Sequence, residues 1–166
     1  MKLNKHLHWG SHLPVLIRLM EMTEGDVLEL GTGLYSTPFL HYACLIQGRK
    51  LVSYENTPEY FTTYKDYNCP WHQVIFVKDW KDAGIRRKWG LAFIDNAPEE
   101  SRKDLALKIA NWARVIALHD GDPKVDKFTH YSEIIPLFRK NFNYTGQSPN
   151  TLVLSNFKNT DIDLRL

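Results

Sequence analysis

No stretch of the chain approaches the roughly 20 consecutive apolar residues that a membrane span requires, and Met1 to Gly10 lacks the apolar core of a secretion signal. These two absences predict a cytoplasmic protein with no membrane partner. Cysteine is scarce: Cys44 and Cys69 are the only two among 166 residues, too few for a disulfide framework, and Cys44 falls on the apolar pattern of a helix. Charge of one sign is missing too, since the formal net charge is only +2 and gives no footprint for nucleic acid by itself. Only Lys78, Lys81, Arg86, Arg87 and Lys88 form a local basic cluster, otherwise a solvated loop. Internal repeats and low-complexity segments are also absent. With 43% apolar and 24% charged residues the composition is ordinary for a soluble globule. The length suits one domain, with an N-terminal helical or lid segment over 1–24, a core over 25–156 and a loosely held tail over 157–166.

Local pattern and chemistry coincide between Asp26 and Thr37. An apolar run (Val27, Leu28, Leu30) ends in Gly31-Thr32-Gly33, and Ser36 and Thr37 can cap a helix beginning at Pro38. This is a strand, a tight glycine turn and a helix start, where glycine permits positive φ and the first helical N–H groups face whatever lies above the turn. A turn without ligand has the same local pattern, so the rest of the chain must decide. Upstream, Leu13, Leu16, Ile17 and Met20 predict an amphipathic helix over Leu13 to Met22, with Ser11 as its cap. His6, His8 and His12 lie close enough to share a metal but lack a carboxylate or cysteine partner at fixed spacing.

Downstream the pattern alternates between strands and helices. Leu51 to Glu55 reads as a second strand, and Glu55 falls at its carboxyl end, where an acid in an open α/β sheet accepts hydrogen bonds from ribose hydroxyls. A helix from Pro58 to about Asn68 carries Tyr60, Phe61, Tyr64 and Tyr67 on a face expected to be core. His72 to Val77 is a third strand followed by Asp79 and Trp80, a pair suited to an adenine amine and ring. Leu91 to Ile94 is an unbroken apolar strand ending in Asp95-Asn96-Ala97-Pro98, then a helix over Glu99 to Trp112 with Leu105, Ile109, Ala110 and Trp112 inward. Arg114 to Leu118 is a fifth strand ending in His119-Asp120-Gly121-Asp122, so Asp95, His119 and Asp120 should converge above the glycine turn. Tyr131 to Phe142 has helical spacing kinked at Pro136, and Asn143 to Gly146 with Thr151 to Ser155 reads as a hairpin at one sheet edge.

This succession resembles the class I S-adenosylmethionine-dependent methyltransferases, whose Rossmann-like three-layer α/β sandwich has a seven-stranded, mostly parallel sheet with an antiparallel last strand. The resemblance covers roughly Asp26 to Ser155 and rests on Glu29-Leu30-Gly31-Thr32-Gly33 taken with Glu55 and Asp79. It implies an enzyme whose cofactor S-adenosylmethionine is bound by Glu29, Gly31, Thr32, Gly33, Tyr35, Ser36, Glu55, Asp79, Trp80 and Asp95. The pairs Phe93-Ile94-Asp95 and Leu118-His119-Asp120 look like the small-molecule O-methyltransferases, some of which hold Mg²⁺ at these strand ends. His119, Asp120 and Asp95 would then be catalytic, with Asp95 and Asp120 as metal ligands and the third, drawn from Asn96, His119 or Asp122, taken as His119. The acceptor implied is an oxygen of a small or sugar-like molecule. Asp95-Asn96-Ala97-Pro98 lacks the paired prolines and terminal aromatic of the amino-group methyltransferases. The turn also lacks the third glycine of a dinucleotide fingerprint, which disfavours a small NAD-binding protein. A non-catalytic binding module and a nucleic-acid methyltransferase resting on the basic cluster are the other readings.

Overall fold

The computed structural model describes residues 7–160 and 162. Its apolar runs become the strands of one seven-stranded sheet, ordered β3-β2-β1-β4-β5-β7-β6. The strands are β1 (Val27–Leu30), β2 (Leu51–Glu55), β3 (His72–Phe76), β4 (Trp89–Ile94), β5 (Ala113–Leu118), β6 (Lys140–Tyr144) and β7 (Thr151–Ser155). β1 through β5 pair in parallel, while β7 runs antiparallel to both β5 and β6. β1, β4 and β5 lie in the sheet interior with helices on both faces, which is why they carry unbroken apolar runs rather than alternation.

Side chains alternate between two cores. Leu28, Leu30, Ala92, Ile94, Ile116 and Leu118 face α4 (Ser101–Ile109) and, after the short α5 (Asp126–Thr129), α6 (Tyr131–Ile134). Val27, Leu51, Leu91, Phe93, Val115 and Val153 face α1 (Leu13–Met22) and α2 (Ser36–Gln47), while α3 (Pro58–Tyr64) follows β2. Three layers result, as the resemblance to the class I methyltransferases implies. The order reverses beside β1, because β2 lies on one side of it and β4 on the other; that is the switch point where ligands enter open α/β sheets.

Several local expectations change. The segment 131–142 is not one kinked helix: α6 stops at Ile134, a 3₁₀ turn spans Ile135–Leu137, and β6 begins at Lys140. Pro136 supplies no backbone N–H, and the period-two run Lys140-Asn141-Phe142-Asn143-Tyr144 pairs with β7. Trp112 is 40% exposed, because α4 ends at Ile109 and leaves it in the turn before β5. Tyr60 is 45% exposed rather than core, and only Tyr64 of its stripe is buried. The described part of the tail is pinned: Thr160 and Ile162 are buried, Arg114 Nε donates to Thr160 Oγ1 at 3.2 Å, and Lys140 Nζ donates to the Thr160 carbonyl. Among the described residues no helix is long and apolar enough to cross a membrane.

Candidate functional site

A cavity of about 690 Å³ opens above the carboxyl ends of β2, β1, β4 and β5, within the range of small-molecule sites. Its floor is the turn after β1. Gly31 has φ +89, and a Cβ there would lie 2.6 Å from the Asp95 carbonyl and the Asn96 Cα. This glycine therefore admits the neighbouring β4 loop rather than a ligand. Gly33 donates its N–H to Thr37 Oγ1 at 2.9 Å, and that hydroxyl donates to Glu29 Oε1 at 3.0 Å. Thr37 thus joins the turn to the strand below it, more than it caps a helix.

Glu29 is wholly buried beneath the turn and outside the cavity lining. Register pairs it with Ser53, so both side chains share the α2 face. Ser53 Oγ donates to Glu29 Oε2 at 2.5 Å and lies 2.8 Å from His72 Nε2, and His72 Nδ1 is 3.0 Å from His41 Nδ1. Burial raises the Glu29 carboxyl to about 7 despite hydrogen bonds from Ser53, Ser36 and Thr37. Burial, with His41 beside it, lowers His72 to about 4. Sequence reasoning missed this polar chain, since its members meet only where β1, β2, β3 and α2 pack together.

Glu55 lines the cavity, and its carboxylate is full: Oε2 accepts from Thr32 N–H at 2.7 Å and Thr32 Oγ1 at 2.9 Å, while Oε1 accepts from Asn56 and Thr57 N–H at 2.9 and 2.7 Å. Of these four donors only the Thr32 hydroxyl belongs to a side chain, so it alone can turn away without moving the backbone. Thr32, Gly33, Tyr35 and Ser36 also line the cavity, joined by Thr57, Tyr60, Ala97 and Glu99 on the β2 side. Asp79 and Trp80 do not. Asp79 caps a 3₁₀ turn by accepting Lys81 N–H at 2.9 Å and pairs with Lys81 Nζ at 2.9 Å, and Trp80 is buried with its Nε1–H given to the Ala97 carbonyl. The β3–β4 connection turns these two residues away from the opening.

On the β5 side, Asp95, His119 and Asp120 do converge. His119 Nδ1 lies 3.2 Å from Asp95 Oδ1 and 3.6 Å from Asp120 Oδ2, while its Nε2 faces Ser11 Oγ at 3.1 Å. Burial alone would lower His119, but Asp95 and Asp120 outweigh it and hold the imidazole above its ordinary value. Burial likewise lifts Asp95, and His119 and Arg102 bring it below the usual carboxylate range. Arg102, buried in the first turn of α4, bridges the acids: Nη2 is 3.0 Å from Asp95 Oδ1, Nη1 2.8 Å from Asp120 Oδ2, and Nε donates to the Asn96 carbonyl at 2.7 Å. A cation in a helix's first turn opposes the helix dipole, and that was the available signal for Arg102. Asp120 reaches it from φ 58, a left-handed conformation aspartate tolerates.

From the N-terminal segment, His8, Trp9 and His12 line the cavity, and Ser11 bonds His119 instead of capping α1. His6 lies outside the described residues. His12 is buried, and burial with His119 nearby lowers it to about 3, so its imidazole is neutral at neutral pH. Magnesium, a cation of oxygen ligands, does not fit here. Among the described residues, the one group of converging ligand atoms holds two imidazoles and a single carboxylate, Asp122 accepts Asn150 N–H at 2.8 Å, and Asn96 Oδ1, buried in the lining without a partner, adds only one further oxygen.

Sheet order, the single antiparallel strand and the cavity at the β1 switch point together define the Rossmann-like fold of the class I S-adenosylmethionine-dependent methyltransferases. Solved structures with that fold superpose over most of the chain. The S-adenosylhomocysteine-bound methyltransferase PaMTH1 of Podospora anserina matches with TM-score 0.65 and 12% identity, over 93% of this chain and 80% of that one. A human methyltransferase 10 domain containing protein matches at 0.63 and 11%, over 90% and 83%. A TehB-like SAM-dependent methyltransferase from Corynebacterium glutamicum matches at 0.58 and 15%, over 88% and 86%. No protein-family model matches the sequence. No curated protein matches it either.

Proposed function

We propose that the protein is an S-adenosylmethionine-dependent methyltransferase acting on a hydroxyl of a small molecule. One observation carries the reading: a single cavity runs along the strand ends from Glu55, over the glycine turn, to the Asp95–His119 pair. An acid for ribose, an open turn for the amino acid portion and a base for the acceptor then stand in the order an extended nucleoside cofactor needs. S-adenosylmethionine supplies, when bound, a methyl group on a sulfonium. An acceptor hydroxyl taking the place of Ser11 Oγ, which faces His119 Nε2 at 3.1 Å, would give its proton to that nitrogen, while Asp95 accepts from Nδ1–H and stabilises the imidazolium. Arg102 pairs with both Asp95 and Asp120 and fixes their carboxylates, offsetting one of the two negative charges.

Titration calorimetry with S-adenosylhomocysteine tests the cofactor. Binding in the micromolar range, weakened about tenfold or more by Glu55→Gln and unchanged by Asp79→Ala, is the expected result. Absence of binding at high micromolar ligand would exclude the reading.

A further inference from the structure

His12 poses a problem that methyl transfer does not solve. Its side chain is 2% exposed, and among the described residues neither ring nitrogen has a hydrogen-bond partner. Buried polar groups are almost always hydrogen-bonded, so a ring left this way points to an ion or water as its partner. The ring packs on Phe93 at 4.7 Å and meets His119 edge-on at 5.0 Å between centroids. One ligand atom from each of His12, Asp95 and His119 lies within 4.8 Å of the others, and all three residues line the cavity.

We propose that His12, Asp95 and His119 form a binding site for a divalent first-row transition ion. Two imidazoles and one carboxylate suit zinc, iron, manganese, cobalt or nickel, and disfavour magnesium and calcium, which take oxygen. Bond lengths of about 2.0–2.2 Å require each side chain to move inward by under roughly 1 Å. Distance defines the ligand set: the group whose ligand atoms lie within 4.8 Å of one another contains Asp95 and not Asp120, and Arg102, paired with both acids, orients the Asp95 carboxylate from outside. Three protein ligands leave at least one coordination position open to the cavity, the pattern of a reactive rather than a structural site. The open position would take an oxygen or nitrogen of the acceptor. Ion binding can be tested without the cofactor, but an ion-bound His119 cannot also serve as the general base, so in the loaded site the ion would lower the acceptor's pKa in place of His119.

Cobalt(II) is the probe, read by its visible ligand-field absorption on the full chain without cofactor. The expected result is a saturable signal at one equivalent, abolished by zinc and unaffected by excess magnesium. His12→Phe, which keeps the packing on Phe93, loses the signal, as do Asp95→Asn and His119→Asn. Asp120→Asn retains it, and so does the His6→Gln/His8→Gln double variant, which removes the N-terminal histidines able to bind metal adventitiously. Each variant is judged only where its thermal unfolding remains cooperative. No signal with the parent protein, displacement by magnesium, retention in His12→Phe, or loss in the His6→Gln/His8→Gln variant would overturn the site.

Discussion

Glu29 is a carboxyl in the centre of a sheet, held by Ser53 and Thr37 and cut off from solvent. Its folded value of about 7 lies above the ordinary 4.5, so between those values the folded chain keeps a proton that the unfolded chain has released. The resulting stability is complete below 4.5 and is lost as pH rises through about 7. Glu29→Gln cannot ionise, so relative to it the parent protein should lose on the order of 3 kcal/mol between pH 4.5 and 8. Urea denaturation of both proteins at several pH values measures this; parallel curves would mean that Glu29 does not titrate in that window. His119 has the opposite duty. It must be deprotonated to act as a base, and Asp95 raises it, so the rate of methyl transfer should climb with pH through a value above 6.5. Asp95→Asn removes the main raising partner. It should move that limb to lower pH and reduce the maximal rate about 10²–10⁴-fold, because the imidazole also loses its orientation. A pH–rate profile for the two proteins distinguishes this from a structural role, which would lower the rate without moving the limb.

Two turns test how the elements are joined. Gly48 ends α2 at φ +64 with nothing within 4 Å of an added Cβ, whereas at Gly31 the φ of +89 coincides with backbone 2.6 Å away. Gly48→Ala should therefore cost only about 1–2 kcal/mol, the price of the conformation alone. Gly31→Ala adds a clash between the β1 turn and the β4 loop and should cost roughly 2–5 kcal/mol; equal midpoints in chemical denaturation would refute the distinction. These elements were also the legible ones. Apolar runs ending in glycine or an acid marked β1, β2, β4 and β5, because strands covered on both faces leave no ambiguity in periodicity. Residues 131–142 misled because four apolar positions at helical spacing preceded a period-two run, and only pairing with β7 decides where one gives way to the other. The site divides similarly. That Glu55, Asp95, His119 and Asp120 gather around one cavity follows from their places at strand ends, whereas Asp79 and Trp80 lie outside its lining because of a loop whose course no local pattern encodes. Arg102, Ser11 and the Ser53–His72–His41 chain depend on contacts between residues distant in sequence.

At the scale of the whole molecule, the acceptor's size depends on where charge lies relative to the cavity. Lys78 and Lys81 follow β3, but Arg86, Arg87 and Lys88 lead into β4 and so lie toward the amino ends of the strands, away from the opening. Arg87 is also committed, pairing with Asp26 at 3.1 Å and covering the Trp89 ring at 4.1 Å. The cavity itself is walled by Glu55, Asp95, Glu99 and Asp120 as well as Arg102. A polynucleotide seated there would face several carboxylates, and the basic segment could not reach its backbone on the same side. The protein should accordingly bind RNA weakly at physiological salt. Any residual affinity should be unaffected by Lys78→Gln/Arg86→Gln/Lys88→Gln, a variant that leaves the Arg87–Asp26 pair intact. Filter binding across a salt series decides the matter. Each phosphate contact contributes a slope of about −0.7 in log K against log salt for single strands. A steep slope that flattens in the triple variant would establish a nucleic-acid acceptor, while a flat one leaves a small molecule as the class to screen with labelled cofactor.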